Sequence, residues 1–397
     1  MQKKLMAIAV AGALGAPAVA LAQASTVQIY GQITYEYGIG FQGDAAPGVG
    51  RPNVDYADTP GGSAIGFRGE EKLGGGMSAW FQCETSADIR GYDQIGLCSR
   101  NSAVGFKGGF GNIHFGRWDT PMKRALNVGT VGAEETGLLG MSFLPFGGSG
   151  GADATGTGQA TAVGVENQQR ARWKRREAGL SYYESPRFGG FQLLAAFSPG
   201  NAAADNGAIN GDTNDKPRVW SFGGIYEAGP LGIGLGYERH NDFGAFTGPA
   251  NLDDRAWGAS ISYKFGPVEI GATYLDAKYE TTATTELKKR TATIGVDWTI
   301  AGPHSIEAQY GWAGDSKGNS LVGVGGGRGH AASGSDTGGD QISIAYRYRF
   351  SKRTSIKLGY VQVDNDANTT TYRVGNTASV TAGEKSSAVA FHIRHRF

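Results

Sequence analysis

Apolar and polar residues take turns along much of the chain. Over 256–265, Trp257, Ala259, Ile261, Tyr263 and Phe265 alternate with Gly258, Ser260, Ser262 and Lys264. Over 291–300, Ala292, Ile294, Val296, Trp298 and Ile300 alternate with Thr291, Thr293, Gly295, Asp297 and Thr299. Over 341–350, Ile342, Ile344, Tyr346, Tyr348 and Phe350 alternate with Gln341, Ser343, Arg347 and Arg349. Successive side chains of a strand point to opposite faces, so each segment has one apolar and one polar face. The segments are punctuated in two ways. Short turns stand at Gly74-Gly75-Gly76, Gly108-Gly109-Phe110-Gly111, Pro186 to Gly190, Gly229-Pro230, Gly266-Pro267, Gly302-Pro303 and Ser351-Lys352-Arg353. Long polar, Gly-rich stretches lie near 40–62, 89–98, 119–170, 200–216, 242–251, 281–286, 315–336 and 366–383. Together they predict sixteen strands, near 26–39, 63–73, 77–88, 99–108, 111–118, 171–185, 190–199, 217–228, 231–241, 252–265, 268–280, 287–300, 304–314, 337–350, 353–365 and 384–397.

Sixteen strands fit a soluble sandwich, a solenoid or a closed barrel. Three features favour a barrel in a membrane. Most segments exceed the ~5–6 residues of ordinary strands and are long enough for a tilted bilayer crossing. Short turns at one end and long loops at the other are the arrangement of outer-membrane barrels. Aromatics gather near strand ends, at Tyr35 and Tyr37, Phe265, and Tyr346, Tyr348 and Phe350, where an interfacial girdle forms. In lipid every backbone polar group needs an internal partner, which strands obtain only by closing into a ring. The polar face then lines a lumen, and about sixteen strands leave room for water there. The last strand fits: Val389, Phe391, Ile393, His395 and Phe397 alternate with Ala390, His392, Arg394 and Arg396, and Phe397 ends the chain.

Composition narrows the choice. Gly supplies 66 of 397 residues, charged residues are 18% and net charge is +1. That much Gly argues against helices, at about 1 kcal/mol per interior Gly relative to Ala, and the charge balance argues against a nucleic-acid partner. Residues 1–24 read as a secretory signal, with Lys3 and Lys4, an apolar core from Leu5 to Gly15, and cleavage after Ala22 or Ala24. The remainder, 25–397, reads as one domain. In an exported protein Cys83 and Cys98 favour a disulfide around Gly91, two buried thiols being the alternative. No metal, cofactor or catalytic residue is expected. The six His lack zinc spacing, and Gly147-Gly148-Ser149-Gly150-Gly151, although of G-x-S-x-G form, lies in a Gly-rich loop rather than between a strand and a helix.

Several stretches resemble the Gram-negative general porins of the beta-proteobacterial type. They are Val27-Gln28-Ile29-Tyr30-Gly31, Ile65-Gly66-Phe67-Arg68-Gly69-Glu70-Glu71, Phe81-Gln82-Cys83-Glu84, Val104-Gly105-Phe106-Lys107-Gly108 with Phe115-Gly116-Arg117, Tyr183-Glu184-Ser185-Pro186, and the ending Arg394-His395-Arg396-Phe397. The resemblance implies an all-β, 16-stranded antiparallel transmembrane β-barrel with long extracellular loops, exported through the periplasm to the outer membrane as a homotrimer. Phe397 would be the signal read by the barrel-assembly machinery. The third loop, 119–170, would fold inward as the constriction, setting acidic Glu134 and Glu135 against wall cations. Arg100 and Arg175 match basic positions of the family, whereas Gln32 and Ala64 stand where relatives often carry cations. Strict alternation with Val104 and Phe106 places Arg100 on the lipid face. The resemblance places it inside, which is preferred because an Arg in hydrocarbon costs about 2–4 kcal/mol at the midplane.

Arg170, Arg172, Lys174, Arg175 and Arg176 form a basic run. They suit either a solvated rim touching lipopolysaccharide phosphates or, for some such as Arg172 and Arg175, the constriction itself. The expected function is passive diffusion of ions and small hydrophilic solutes through a water-filled pore. A solute-specific channel on the same barrel is the second possibility, and a barrel enzyme or adhesin the third.

Overall fold

A computed structural model describes residues 27–42, 53–58, 62–90, 96–132, 139, 173–199, 218–241, 252–324, 330–374 and 381–397. The expected signal segment 1–24, Gly147 to Gly151, Glu134, Glu135 and Arg172 lie outside these. The strands are β1 (Gln28–Gln42), β2 (Val54–Asp58), β3 (Ala64–Gly74), β4 (Met77–Ser86), β5 (Ser102–Gly108), β6 (Gly111–Asp119), β7 (Arg176–Glu184), β8 (Phe191–Ser198) and β9 (Arg218–Ala228). They continue with β10 (Leu231–Asn241), β11 (Asp254–Phe265), β12 (Val268–Glu280), β13 (Glu286–Ala301), β14 (His304–Ala313), β15 (Lys317–Gly318), β16 (Gly339–Arg349), β17 (Thr354–Asn365) and β18 (Lys385–Arg396).

Sixteen of the described strands close a ring. Each pairs antiparallel with the next in sequence, and β1 pairs with β3 on one side and with β18 on the other, from Gln32↔Arg396 to Gln42↔Ser386. The ring therefore has no free edge. β2 and β15 stand outside the count. They pair with the long-loop ends of β1 and β13, extending the wall into stretches expected to be loops. The backbone there continues the ladder in pieces of five and two residues, too short for periodicity to reveal within Gly-rich stretches.

The seam is closed by the chain's last residue. Phe397 exchanges backbone hydrogen bonds with Gly31, 3.0 and 3.2 Å long. Its ring lies where a Gly31 side chain would stand, at 2.6 Å from a Cβ.

The two faces follow the alternation. On β10, buried Gly232, Gly234, Glu238 and His240 alternate with Ile233, Leu235, Tyr237 and Arg239, which point outward. Leu235, Ile294 and Leu358 are 58%, 54% and 56% exposed on that outer face, which suits hydrocarbon rather than water. The inner face is less uniformly polar than the sequence indicates. Ala256, Leu275, Ala277, Tyr279 and Leu287 form one apolar patch inside the ring, and Ala313, Ala345, Val361, Val363, Ala388 and Ala390 form another. Both are covered by loop residues.

Two strand starts differ from expectation. β5 begins at Ser102 and β7 at Arg176: residues 99–101 and 173–175 leave the regular ladder and keep only single backbone bonds, Arg100 N–H to the Glu84 carbonyl at 2.8 Å and Thr120 N–H to the Arg175 carbonyl at 3.2 Å. Within the third loop lies a helix, α1 (Pro121–Asn127). Pro121 suits a first turn, where its missing N–H is not needed, and the Thr120 hydroxyl caps it by accepting from the Lys123 N–H at 3.3 Å. Met122, Ala125 and Leu126 make one buried stripe at helical spacing.

Candidate functional site

The third loop leaves β6, and its described residues, 120–132 and 139, run along the inside of the ring. A line of inward-facing glycines lets it sit against the wall. A Cβ on Gly223 (β9) would stand 2.9 Å from the Pro121 carbonyl oxygen, and one on Gly236 (β10) 2.5 Å from Met122 Sδ. On Gly258 (β11) it would stand 2.8 Å from Leu126 Cδ2, and on Gly271 (β12) 2.5 Å from the Gly129 oxygen. Farther round, Gly359 (β17) leaves room for Leu139, whose Cδ2 would lie 2.9 Å from a Cβ at that position. A wall with side chains at these positions would hold the loop off by about a methyl diameter.

Wall side chains satisfy the loop's backbone. The Ser260 hydroxyl donates to the Ala125 carbonyl at 2.6 Å, and the Met122 N–H donates to Ser221 Oγ at 3.0 Å. Gln309 Nε2 donates to the Val131 carbonyl at 3.1 Å, and Ser343 Oγ to the Leu139 carbonyl at 3.2 Å. A backbone carbonyl or N–H shielded from water costs roughly 1–3 kcal/mol if left without a partner, so these four bonds, three to carbonyls and one from an N–H, fix the track as well as the glycines do. Apolar packing adds to them. Met122, Leu126 and Trp173 cover the patch on β11–β13, Leu139 covers that on β14–β18, and Ala125 packs with Leu180, Tyr182, Leu194, Ala196 and Ile225.

Ion pairs hold the loop's first turn. Asp119 receives Lys123 Nζ and an Arg176 guanidinium nitrogen, each at 3.2 Å, and Asn101 Nδ2 donates to it at 3.2 Å. Arg124 reaches Glu184 at 2.9 Å. On the returning limb, Trp173 stacks on His240 with ring centroids 4.4 Å apart and donates through Nε1 to the Tyr279 hydroxyl at 2.7 Å. Lys174 Nζ donates to Thr130 Oγ1 at 3.1 Å, and Arg175 pairs with Glu177. Trp173, Lys174 and Arg175 are all buried, so this part of the basic run sits against the loop and wall rather than on an outer rim.

Away from the loop the wall is lined with charge. Arg100 Nε lies 2.7 Å from Glu84 Oε1, and the Tyr30 hydroxyl donates to Glu84 Oε2 at 3.1 Å. Glu84 and Tyr30 belong to the inward rows of β4 and β1, so Arg100 faces the lumen. Extending alternation from Val104 assigns it to lipid because that extension assumes a strand at 99–101, where there is none. Two cations that sequence reasoning missed stand nearby. Arg68 donates from Nε to Gln28 Oε1 at 2.8 Å, with its guanidinium carbon 4.9 Å from the Tyr30 ring centre. Arg396 donates from Nε to Gln32 Oε1 at 3.1 Å. Both meet amide oxygens in these bonds, which do not cancel their charge. The cation absent at Gln32 is thus supplied beside it by Arg396. Arg68 was discernible as the polar-face residue following Ile65 and Phe67.

Below the loop, toward the short turns, Arg347 bridges Asp297 at 2.7 Å and Glu307, and Lys357 Nζ meets Glu307 at 2.6 Å. This lattice ties β13, β14, β16 and β17 together inside the ring.

At the rim, Cys83 and Cys98 form a disulfide joining β4 to the segment before β5. Among the described residues, no group of three or more His, Cys, Asp or Glu could hold a metal ion. The sequence-expected residues are therefore dispersed. Arg100 and Arg175 are both inside the ring, the former on the open wall and the latter buried under the loop. Phe397 is at the seam.

Comparison with known proteins agrees with this geometry. The profile described as Gram-negative porin matches residues 7–368. The major outer membrane protein P.IB of Neisseria gonorrhoeae is 32% identical over 147 residues, covering 37% of this chain and 35% of that protein. P.IB of Neisseria sicca is 28% identical over 202 residues, 50% of this chain and 47% of its own length. The chain thus matches less than half the length of these curated relatives. Among solved structures, the anion-selective porin from Comamonas acidovorans has a TM-score of 0.68 at 21% identity, over 94% of this chain and 100% of that one. In-vitro folded OmpT of Vibrio cholerae, in trimer form, has 0.60 at 16% identity, over 94% and 100%. At such identities the likeness is one of fold.

Proposed function

The chain belongs to the Gram-negative porin family, and from that premise we propose that it is a water-filled channel of the outer membrane for passive diffusion of ions and small hydrophilic solutes. The observation that carries this is the third loop laid along the inner wall of a closed sixteen-strand ring. A ring of that size is wide enough for water, and a loop packed on one side of it leaves a passage on the other. The solute gradient drives transport, and no bond changes.

Selectivity arises where the loop faces the opposite wall. Arg100, Arg68 and Arg396 line that wall. Glu134 and Glu135 on the loop oppose them, and Arg172 on its returning limb adds positive charge, whereas Arg175, buried and paired with Glu177, adds little. Low-dielectric walls focus the resulting field across the passage, so solutes are ranked by charge and dipole. Arg100 contributes less than its formal charge, because Glu84 lies beside it. Segment 119–170 acts as the constriction, 1–24 is removed on export, the barrels assemble as homotrimers, and Phe397 is read during assembly. The family resemblance supports these last points, and the trimer form of OmpT of Vibrio cholerae supports the homotrimer.

The test is single-channel recording in planar bilayers under asymmetric salt. Stepwise, ohmic currents are expected. Saturation by one sugar, phosphate or organic acid would replace the general channel with a solute-specific one. No steps at all would remove the channel.

A further inference from the structure

The outer wall carries a feature that conduction does not use. Register places Arg239 opposite Arg255, Arg255 opposite Lys278, Lys278 opposite Lys288, and Lys288 opposite Lys317. Five cations therefore stand in one cross-strand row from β10 to β15. All occupy the outward phase: on β10 and β11 the residues adjoining Arg239 and Arg255 in sequence, among them Glu238, His240, Asp254 and Ala256, are buried inside. At ~4.8 Å per strand the row spans roughly 19 Å. Like charges directly opposite each other destabilise a sheet, so the row costs stability unless anions meet it.

Internal carboxylates meet it only in part. Asp253 pairs with Arg239, Glu286 with Lys278 and Lys288, and Asp276 with Arg290 one position lower. Arg255 and Lys317 have no carboxylate partner among the described residues. The side chains of Arg239 and Lys288 remain 48% and 52% exposed despite their pairs. The row is also local. At the same end of β16, β17 and β18 the outward positions are Asp340, Asp364 and Lys385, opposite one another in register.

Its height identifies the ligand's chemistry. Two residues toward the short turns lie Tyr237 and Trp257, and beside Arg239 lies Trp220, all exposed on the outer face. Aromatics of this kind mark the edge of the hydrocarbon. Two residues are about 7 Å of strand. Cations just beyond an aromatic girdle on the long-loop side stand at the level of lipid headgroups, with the apolar wall below them for acyl chains. Free anions would have no use for that wall.

We propose that the row from Arg239 to Lys317 is a binding site for the phosphate groups of an outer-leaflet glycolipid, the lipid A part of lipopolysaccharide. The site rests on the outer-membrane placement above and is independent of the pore. Arg supplies paired donors to phosphate oxygens and Lys a point charge. The bound lipid would relieve the repulsion along the row and anchor the barrel on the side of β10–β15.

The test titrates the purified full-length barrel, in detergent, with bisphosphorylated lipid A and counts bound lipid by native mass spectrometry. Parallel titrations use enzymatically dephosphorylated lipid A, phosphatidylglycerol and inorganic phosphate. The triple variant Arg255→Gln, Lys288→Gln and Lys317→Gln should weaken binding on the order of a hundredfold, from the usual contribution per surface cation, with conductance unchanged. Retention of wild-type affinity by the variant would overturn the proposal. If the variant does not fold, the wild-type protein decides: equal binding of phosphorylated and dephosphorylated lipid A would overturn the site, as would equal binding of phosphatidylglycerol or displacement by millimolar inorganic phosphate. Conductance recorded on the same preparations separates failure of this site from failure of the channel.

Discussion

Gly271 is the most informative single position on the loop's track. It faces inward from β12, and an added Cβ would lie 2.5 Å from the Gly129 oxygen, 2.6 Å from Val131 Cγ2 and 2.9 Å from Val131 Cβ. All three atoms belong to the third loop and none to the barrel, so Gly271→Ala loads its strain onto the contact between loop and wall. Overpacking of this kind costs about 1–3 kcal/mol. Replacing a strand Gly by Ala returns roughly 0.5–1 kcal/mol, and returns it whether or not the loop is docked. The barrel should therefore fold at least as well, while the docked loop loses between a few-fold and about a hundredfold in its equilibrium against the undocked one. The assay is single-channel conductance and current noise in planar bilayers, with sugar permeation into liposomes as a second readout. Larger conductance, more noise and a higher size cutoff are expected. Gly224→Ala is the control, because its Cβ meets only Phe191 at an ordinary 3.5 Å. A Gly271→Ala barrel with normal heat-modifiable mobility but wild-type conductance and noise would refute the idea that this track holds the constriction.

Other outcomes follow from the same structure. Arg100→Gln removes the cation 2.7 Å from Glu84 and leaves that carboxylate facing the lumen, so reversal potentials in asymmetric salt should move toward cation preference; no movement would take Arg100 out of the ion path. Reducing the Cys83–Cys98 bond, with a separation of 15, should lower stability by about 3 kcal/mol on loop-entropy grounds and expose the segment between them to protease, with conductance unchanged. His330 lies in the loop between β15 and β16, and burial, aided by Lys289, holds its imidazole well below the ordinary value. The unfolded loop then binds the proton more readily, so stability is present above about pH 6.5 and is lost as pH falls below it. Limited proteolysis of the long loops should accelerate between pH 7 and pH 5, and His330→Phe should abolish that acceleration. Gly31→Ala places a methyl 2.6 Å from the Phe397 ring and should slow assembly of heat-modifiable barrels more than it alters the conductance of those that form.

The strands were legible because lipid outside and water inside impose opposite demands on alternate residues. Phase and order followed from residues such as Ile294 and Thr293 without any tertiary knowledge. The interior was less legible. A glycine at an inward position reads as a small polar-face residue, and only the structure distinguishes Gly271, which makes room for the loop, from a glycine beside open water. The apolar inner residues Leu275, Ala277 and Leu287 were hidden in the same way, since alternation assumes that the lumen is wet throughout. α1 was missed because a three-turn periodic signal cannot appear in seven residues. The wall cations Arg68 and Arg396 lie in phase with the polar face and could have been nominated from phase alone. Arg100 could not, because its orientation depends on where β5 begins.

On this reading the chain seals into a ring with hydrocarbon outside and a water passage inside, narrowed by the third loop. Insertion of the detergent-purified protein into a planar bilayer tests it most directly. Discrete upward current steps, ohmic at low voltage and enlarged by Gly271→Ala, are the predicted result. Protein that stays dissolved without detergent, lacks heat-modifiable mobility and produces no current steps would contradict the account.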